Sequence, residues 1–116
     1  MTIEEFVISY LSGAEELGGI PVSGSVLHPM PPKFVTVELT GSEVTNFITS
    51  AAIAVQSWAE TRAEAAALNE TVKTLMDAMI SEDEISRSDM DSSYNFTDET
   101  TNRPRYQAVY EITFNF

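Results

Sequence analysis

The last stretch of the chain constrains the fold more than any other. Tyr106, Ala108, Tyr110, Ile112, Phe114 and Phe116 alternate with Gln107, Val109, Glu111, Thr113 and Asn115. A period of two with one almost wholly apolar face marks a strand laid on a core, here over about 105–116. One strand buries little by itself, so the segment demands partner strands and helices to cover its apolar face.

Two segments supply the helices. Thr2 can accept from the amide three residues on while Glu5 reaches back, a capping box, and Ile3, Phe6, Val7, Tyr10, Leu11, Ala14 and Leu17 then share one face. Gly18-Gly19 provides a left-handed stop, so a helix is expected over 2–17. From Asn46 to Ile80 there is neither glycine nor proline, yet one helix of that length sits badly with ordinary helix lengths. Thr61-Arg62-Ala63-Glu64 is a second capping box and cuts the stretch. It predicts a helix over 62–80 with Ala65, Leu68, Val72, Leu75, Met76 and Met79 on its inner face. For Ile48 to Trp58, short and alanine-rich, periodicity leaves strand and helix both open.

Elsewhere the texture is β. Ile20, Val22, Gly24 and Val26 alternate with serines, predicting a strand over about 20–26 that Gly24 weakens. His28-Pro29-Met30-Pro31-Pro32 is a stiff connector, because three prolines remove donors and force extended neighbours. A strand is expected over 34–39, followed by a turn at Thr40-Gly41-Ser42. Met90, Tyr94 and Phe96 alternate with Ser92 and place another strand at about 88–96. The expected architecture is α+β: a single domain over 1–116 with two helices packed on a mostly antiparallel sheet of four to five strands.

Composition limits the chemistry. The 116 residues fit one domain, and 43% apolar content suffices for a core without disulfide or metal staples. Six Lys and Arg stand against eighteen Asp and Glu, a net charge of −12, which argues against a basic footprint for nucleic acid or an anionic membrane. With no cysteine, thiol nucleophiles and thiolate metal sites are excluded, and an intracellular origin is expected. The one histidine, His28, lies between connector residues with no partner for a triad or a metal site. No serine sits in a Gly-x-Ser-x-Gly elbow. An enzyme, a cofactor and a metal are therefore not expected. No apolar run is long enough to span a membrane, and the acidic start does not look like a secretory leader.

The candidate functional residues are charged. Glu82, Asp83, Glu84, Asp89, Asp91, Asp98 and Glu99 stand against Arg87 alone in one stretch. Their spacing does not match a helix-loop-helix calcium loop, so a solvated segment or an interaction surface is the simpler reading. Arg103-Pro104-Arg105 is a local basic island. Its arginines either flank a strand start or pair with a neighbouring subunit's carboxylates through the guanidinium fork. Trp58 reads as a core or interface anchor.

Three blocks carry a resemblance. Pro31-Pro32-x-Phe34-Val35-x-Val37-Glu38-x-Thr40-Gly41, then Ala54-Val55-Gln56-Ser57-Trp58-Ala59-x-Thr61-Arg62-x-Glu64-Ala65, then Arg103-Pro104-Arg105-Tyr106 with its alternating strand, resemble the tail terminator or tail-completion proteins of long-tailed bacteriophages and prophages. The chain departs from that pattern at Leu39, where a basic residue is usual, and at Ser42, where a second glycine is usual. The resemblance implies a strand at Ile48 to Trp58 and a homo-oligomeric, commonly hexameric, ring. It implies a virion protein of the head-to-tail neck, assembled in the host bacterial cytoplasm. Its partners would be the major tail tube protein and the head-tail connector proteins, and DNA would pass without specific binding. In that setting the acids from Glu82 to Glu99 are expected in a lumen loop or a docking face, and the C-terminal strand in the core or at an edge shared with a neighbour. Two alternatives stay open: a connector or stopper ring of the same neck, and an acidic binding module such as a DNA-mimic inhibitor.

Overall fold

The computed structural model describes all residues from Met1 to Phe116. The capping box at Thr2 forms, with Glu5 N donating to Thr2 Oγ1 at 3.1 Å and Thr2 N to Glu5 Oε1 at 3.1 Å. Helix α1 (Ile3–Ser12) buries Ile3, Val7 and Leu11. It ends at Gly13, short of the expected Leu17, and Glu15–Leu17 form a separate 3₁₀ turn that Gly18 closes with φ +57°. Gly13 keeps right-handed dihedrals, φ −84° and ψ −4°, and the backbone turns extended at Ala14, with ψ 126°, which breaks the helix before Glu15.

Strand β1 (Val22–Ser23) is only two residues long, far shorter than the alternation over 20–26 suggests. It pairs in parallel with Val35 and Thr36, and the carbonyl of Pro21 accepts from Val35 N at 2.9 Å. Strand β2 (Phe34–Thr45) does not stop at Leu39. Thr40-Gly41-Ser42 is not a turn but a bulge, where the pairing steps from Leu39↔Ile53 to Gly41↔Ala52. The reversal comes at Asn46-Phe47, before strand β3 (Ile48–Trp58). Helix α2 (Arg62–Ala78) starts at its own threonine cap, with Glu64 N donating to Thr61 Oγ1 at 3.1 Å, and tightens to 3₁₀ at Met79–Ser81. Strand β4 (Ile85–Asn95) starts earlier than expected and has irregularities at Ser86 and Asp91. Strand β5 (Arg105–Phe114) is followed by Asn115 and Phe116 outside the ladder.

The fold is α+β: two helices and a five-stranded, mostly antiparallel sheet ordered β1-β2-β3-β5-β4. Strand β5 lies between β3 and β4, so its apolar face belongs to the core and it offers no edge to a neighbour. The inner faces of α1 and α2 meet Val35, Val37, Ile53, Val55, Ala108, Tyr110 and Ile112 in one cluster on one side of the sheet. Tyr110 is buried there with its hydroxyl 2.9 Å from Asp77 Oδ1 and 3.1 Å from the carbonyl of Lys73. Burial, with the Asp77 carboxylate added, raises the phenol above its ordinary value. No helix is long and apolar enough to cross a membrane.

Candidate functional site

The side of the sheet away from the helices carries side chains in rows, because residues paired across strands point the same way. One row runs Phe34, Trp58, Arg105 through registered pairs. Phe34 and Trp58 stack at 5.1 Å between centroids with 12° between planes. The Arg105 guanidinium lies 4.7 Å from the Trp58 ring centroid and 4.3 Å from that of Phe96, sandwiched between two aromatic faces. Its Nε donates to the Phe96 carbonyl at 2.7 Å. Arg103 closes the end: Nε donates to the Ala59 carbonyl at 2.8 Å, and a terminal nitrogen donates to the carbonyls of Pro31 and Pro32. Neither arginine meets a carboxylate in a salt bridge within the chain.

The next row is polar and crosses four strands. Trp58 Nε1 donates to Thr36 Oγ1 at 3.0 Å, Thr36 Oγ1 to Gln56 Oε1 at 2.6 Å, and Gln56 Nε2 to Gln107 Oε1 at 2.7 Å; Gln107 then donates to the Tyr94 hydroxyl. Thr36, Gln56 and Gln107 are all buried, so this chain of bonds satisfies groups that would otherwise be costly to bury. Further along, the same side turns acidic: Glu38 lies near Gln56, and Glu111 pairs across β5 and β4 with Asp89. Glu43 and Glu111 also border a shallow recess of about 250 Å³.

The seven acids singled out in the sequence do not form one loop. Asp89 lies in β4, where Arg87 Nε donates to its Oδ2 at 2.6 Å. Glu82 and Glu84 lie at the opposite end of the strand's approach, on a groove of about 650 Å³ shared with Glu15 and Glu16 and floored by Phe6, Tyr10 and Leu75. Tyr10 spans that floor, its hydroxyl donating to the Leu75 carbonyl at 2.6 Å, and burial together with Glu82 and Glu16 raises its phenol. Asp98 turns into its own loop, accepting from Thr101 Oγ1 at 2.5 Å, which holds its carboxyl below the ordinary range. Asp83, Asp91 and Glu99 are exposed. No group of three or more His, Asp or Glu side chains is arranged to hold a metal ion. Charge clustered in sequence is thus divided between a groove, a sheet face and a loop.

Five of the six basic side chains are engaged inside the chain. Lys33 pairs with Glu64, Lys73 with Glu70 and Arg87 with Asp89, while Arg103 and Arg105 are engaged by carbonyls and rings; Arg62, at the start of α2, is exposed and free. A surface of this kind offers almost no free cation to a phosphate. Sequence pattern alone singled out neither the Gln56–Gln107 row nor Phe47, which stands fully exposed at the tip of the β2–β3 hairpin. The signal for the tip is Asn46, a residue that tolerates left-handed backbone, here with φ +52°.

No protein-family model matches the chain, and no curated protein matches it either.

Proposed function

We infer that the chain is a structural, non-enzymatic subunit of a bacteriophage neck: a ring-forming tail terminator that caps the tail tube and joins it to the head. The observation that carries this reading is the convergence of the three resembling blocks. The Pro31-Pro32 entry, the Phe34 strand, Trp58 and Arg103-Pro104-Arg105 are far apart in sequence, yet they meet in one knot of stacked rings and arginine bonds. Motifs that match by chance have no reason to share one site.

The electrostatics fit the same role. A lumen that passes DNA must not hold it, because every phosphate contact adds counterion-release affinity. The sheet side with Glu38, Glu43, Glu111 and Asp89 is the natural lumen wall, and five of the six basic side chains, all but Arg62 on α2, are already engaged. Negative-stain electron microscopy of the protein mixed with its cognate tail tubes tests the reading. A ring seated on one tube end is the expected image. Rings stacked on the head portal alone would instead indicate a connector, and tight binding to a basic DNA-binding protein without tube binding would indicate a DNA mimic.

A further inference from the structure

Phe47 stands where solvent and backbone both count against it. Its side chain is fully exposed, at 101% of the reference area, and Val44 and Ile48 beside it are 68% and 55% exposed. Thr45 pairs with Ile48, so Asn46 and Phe47 form a two-residue turn, with φ of +52° and +67°. That turn suits the strand twist, but its second position is the usual place of glycine, and a bulky aromatic in the left-handed region is an outlier. Strained backbone and an exposed apolar cluster, held at one spot, are features of surfaces that meet a partner.

We propose that the β2–β3 hairpin tip, anchored by Phe47, docks into the groove between α1 and the approach to β4 on a second copy of this chain. Two chains of net charge −12 repel one another least where at least one of the meeting surfaces carries no charge, and no charged residue occurs from Val44 to Ala59. The groove, about 650 Å³ with Phe6, Tyr10 and Leu75 on its floor, has room for an aromatic ring. None of its four rim glutamates is paired with a Lys or Arg. The tip brings matching donors, the Asn46 amide at the turn with the Thr45 hydroxyl on one face of the hairpin and the Thr49 hydroxyl on the other, and from Val44 to Thr49 no carboxylate to repel them. Tip and groove are different surfaces of one subunit, so the contact is head-to-tail and propagates into a closed ring or an open filament. The inference deepens the ring reading above and rests on it by naming the contact that closes the ring.

The absence of cysteine makes disulfide trapping a clean test. Ile48→Cys, which is 55% exposed and leaves Phe47 in place, is mixed with Ser9→Cys, on the groove wall, or with Ala67→Cys, an exposed control on α2 away from the groove. The expected result is a cross-linked dimer at least fivefold more abundant in the Ile48/Ser9 mixture than in the Ile48/Ala67 mixture. Equal yields overturn the proposal. Sedimentation of Phe47→Ser, a surface change that leaves the core intact, is expected to show association at least tenfold weaker than in the unmodified protein. Rings of Phe47→Ser that persist at unmodified concentration overturn the tip contact and leave the ring reading standing. An Ile48/Ser9 cross-link together with open filaments and no closed rings of the unmodified protein supports the tip contact and overturns the ring.

Discussion

The hairpin of β2 and β3 begins where Phe34 stacks on Trp58 beneath two guanidinium groups, and it ends where Phe47 is presented to water. One ladder joins these ends, from Phe34↔Trp58 to Thr45↔Ile48. At the first end the rings and arginines are satisfied from within the chain: the indole N–H finds Thr36, the arginines find carbonyls and ring faces, and both rings are buried, with the buried Ser57 hydroxyl on the other side of the sheet left without a partner. At the other end neither the strained backbone nor the exposed apolar side chains find a partner in the same subunit. The contrast separates two tasks. The satisfied end holds the fold together, and the unsatisfied end is left for another molecule.

The largest effect should come from breaking the satisfied end. Trp58→Ala removes a ring that is 2% exposed, stacked on Phe34 and covered by Arg105, and should cost about 3–5 kcal/mol in urea denaturation. Arg103→Gln should cost about 2 kcal/mol, since it takes a charged donor from the carbonyls of Ala59, Pro31 and Pro32. Arg103→Lys should recover only part of that, because an ammonium cannot span the positions the fork reaches. The partners are uncharged, so the loss should be the same at pH 7 and pH 4 and insensitive to salt. A loss that shrinks on acidification would mean that Arg103 holds a carboxylate instead. Gln56→Ala opens the buried row between Thr36 and Gln107 and should cost about 1–2 kcal/mol, measured by thermal melting.

How far these two ends can be read in the sequence differs for a physical reason. Period two from Tyr106 to Phe116 and the threonine caps at Thr2 and Thr61 are local patterns, and each predicts its element. Ile48 to Trp58 is ambiguous because both of its sides are buried: Ile53 and Val55 face the helices while Ala54, Gln56 and Trp58 face the knot, which erases the alternation. The role of Arg103 leaves no trace, since its acceptors are backbone carbonyls and every residue has one. The acids from Glu82 to Glu99 read as one cluster because they are adjacent in sequence, but a strand points successive side chains to opposite faces and carries its two ends apart. The sequence pattern points to a turn at Thr40-Gly41-Ser42, and the second candidate, Asn46, stands out only once its positive φ is seen. The ladder with β3 absorbs the first as a bulge, leaving the reversal to the second.

The smallest effect is the most discriminating. Phe47→Gly relieves a left-handed aromatic, worth about 1–2 kcal/mol, while glycine's extra freedom in the unfolded chain takes back about 0.5–1 kcal/mol. Asn-Gly is also the favoured pair for this two-residue turn. The isolated subunit should therefore gain about 0.5 kcal/mol, seen as a slightly higher denaturation midpoint with an unchanged slope. The same substitution should weaken assembly, because it deletes the anchor. A residue whose removal stabilises the monomer and weakens the oligomer is kept for the oligomer, not for the fold. If Phe47→Gly instead lowers the midpoint, the tip contributes to the subunit's own stability and the division between the two ends of the hairpin fails.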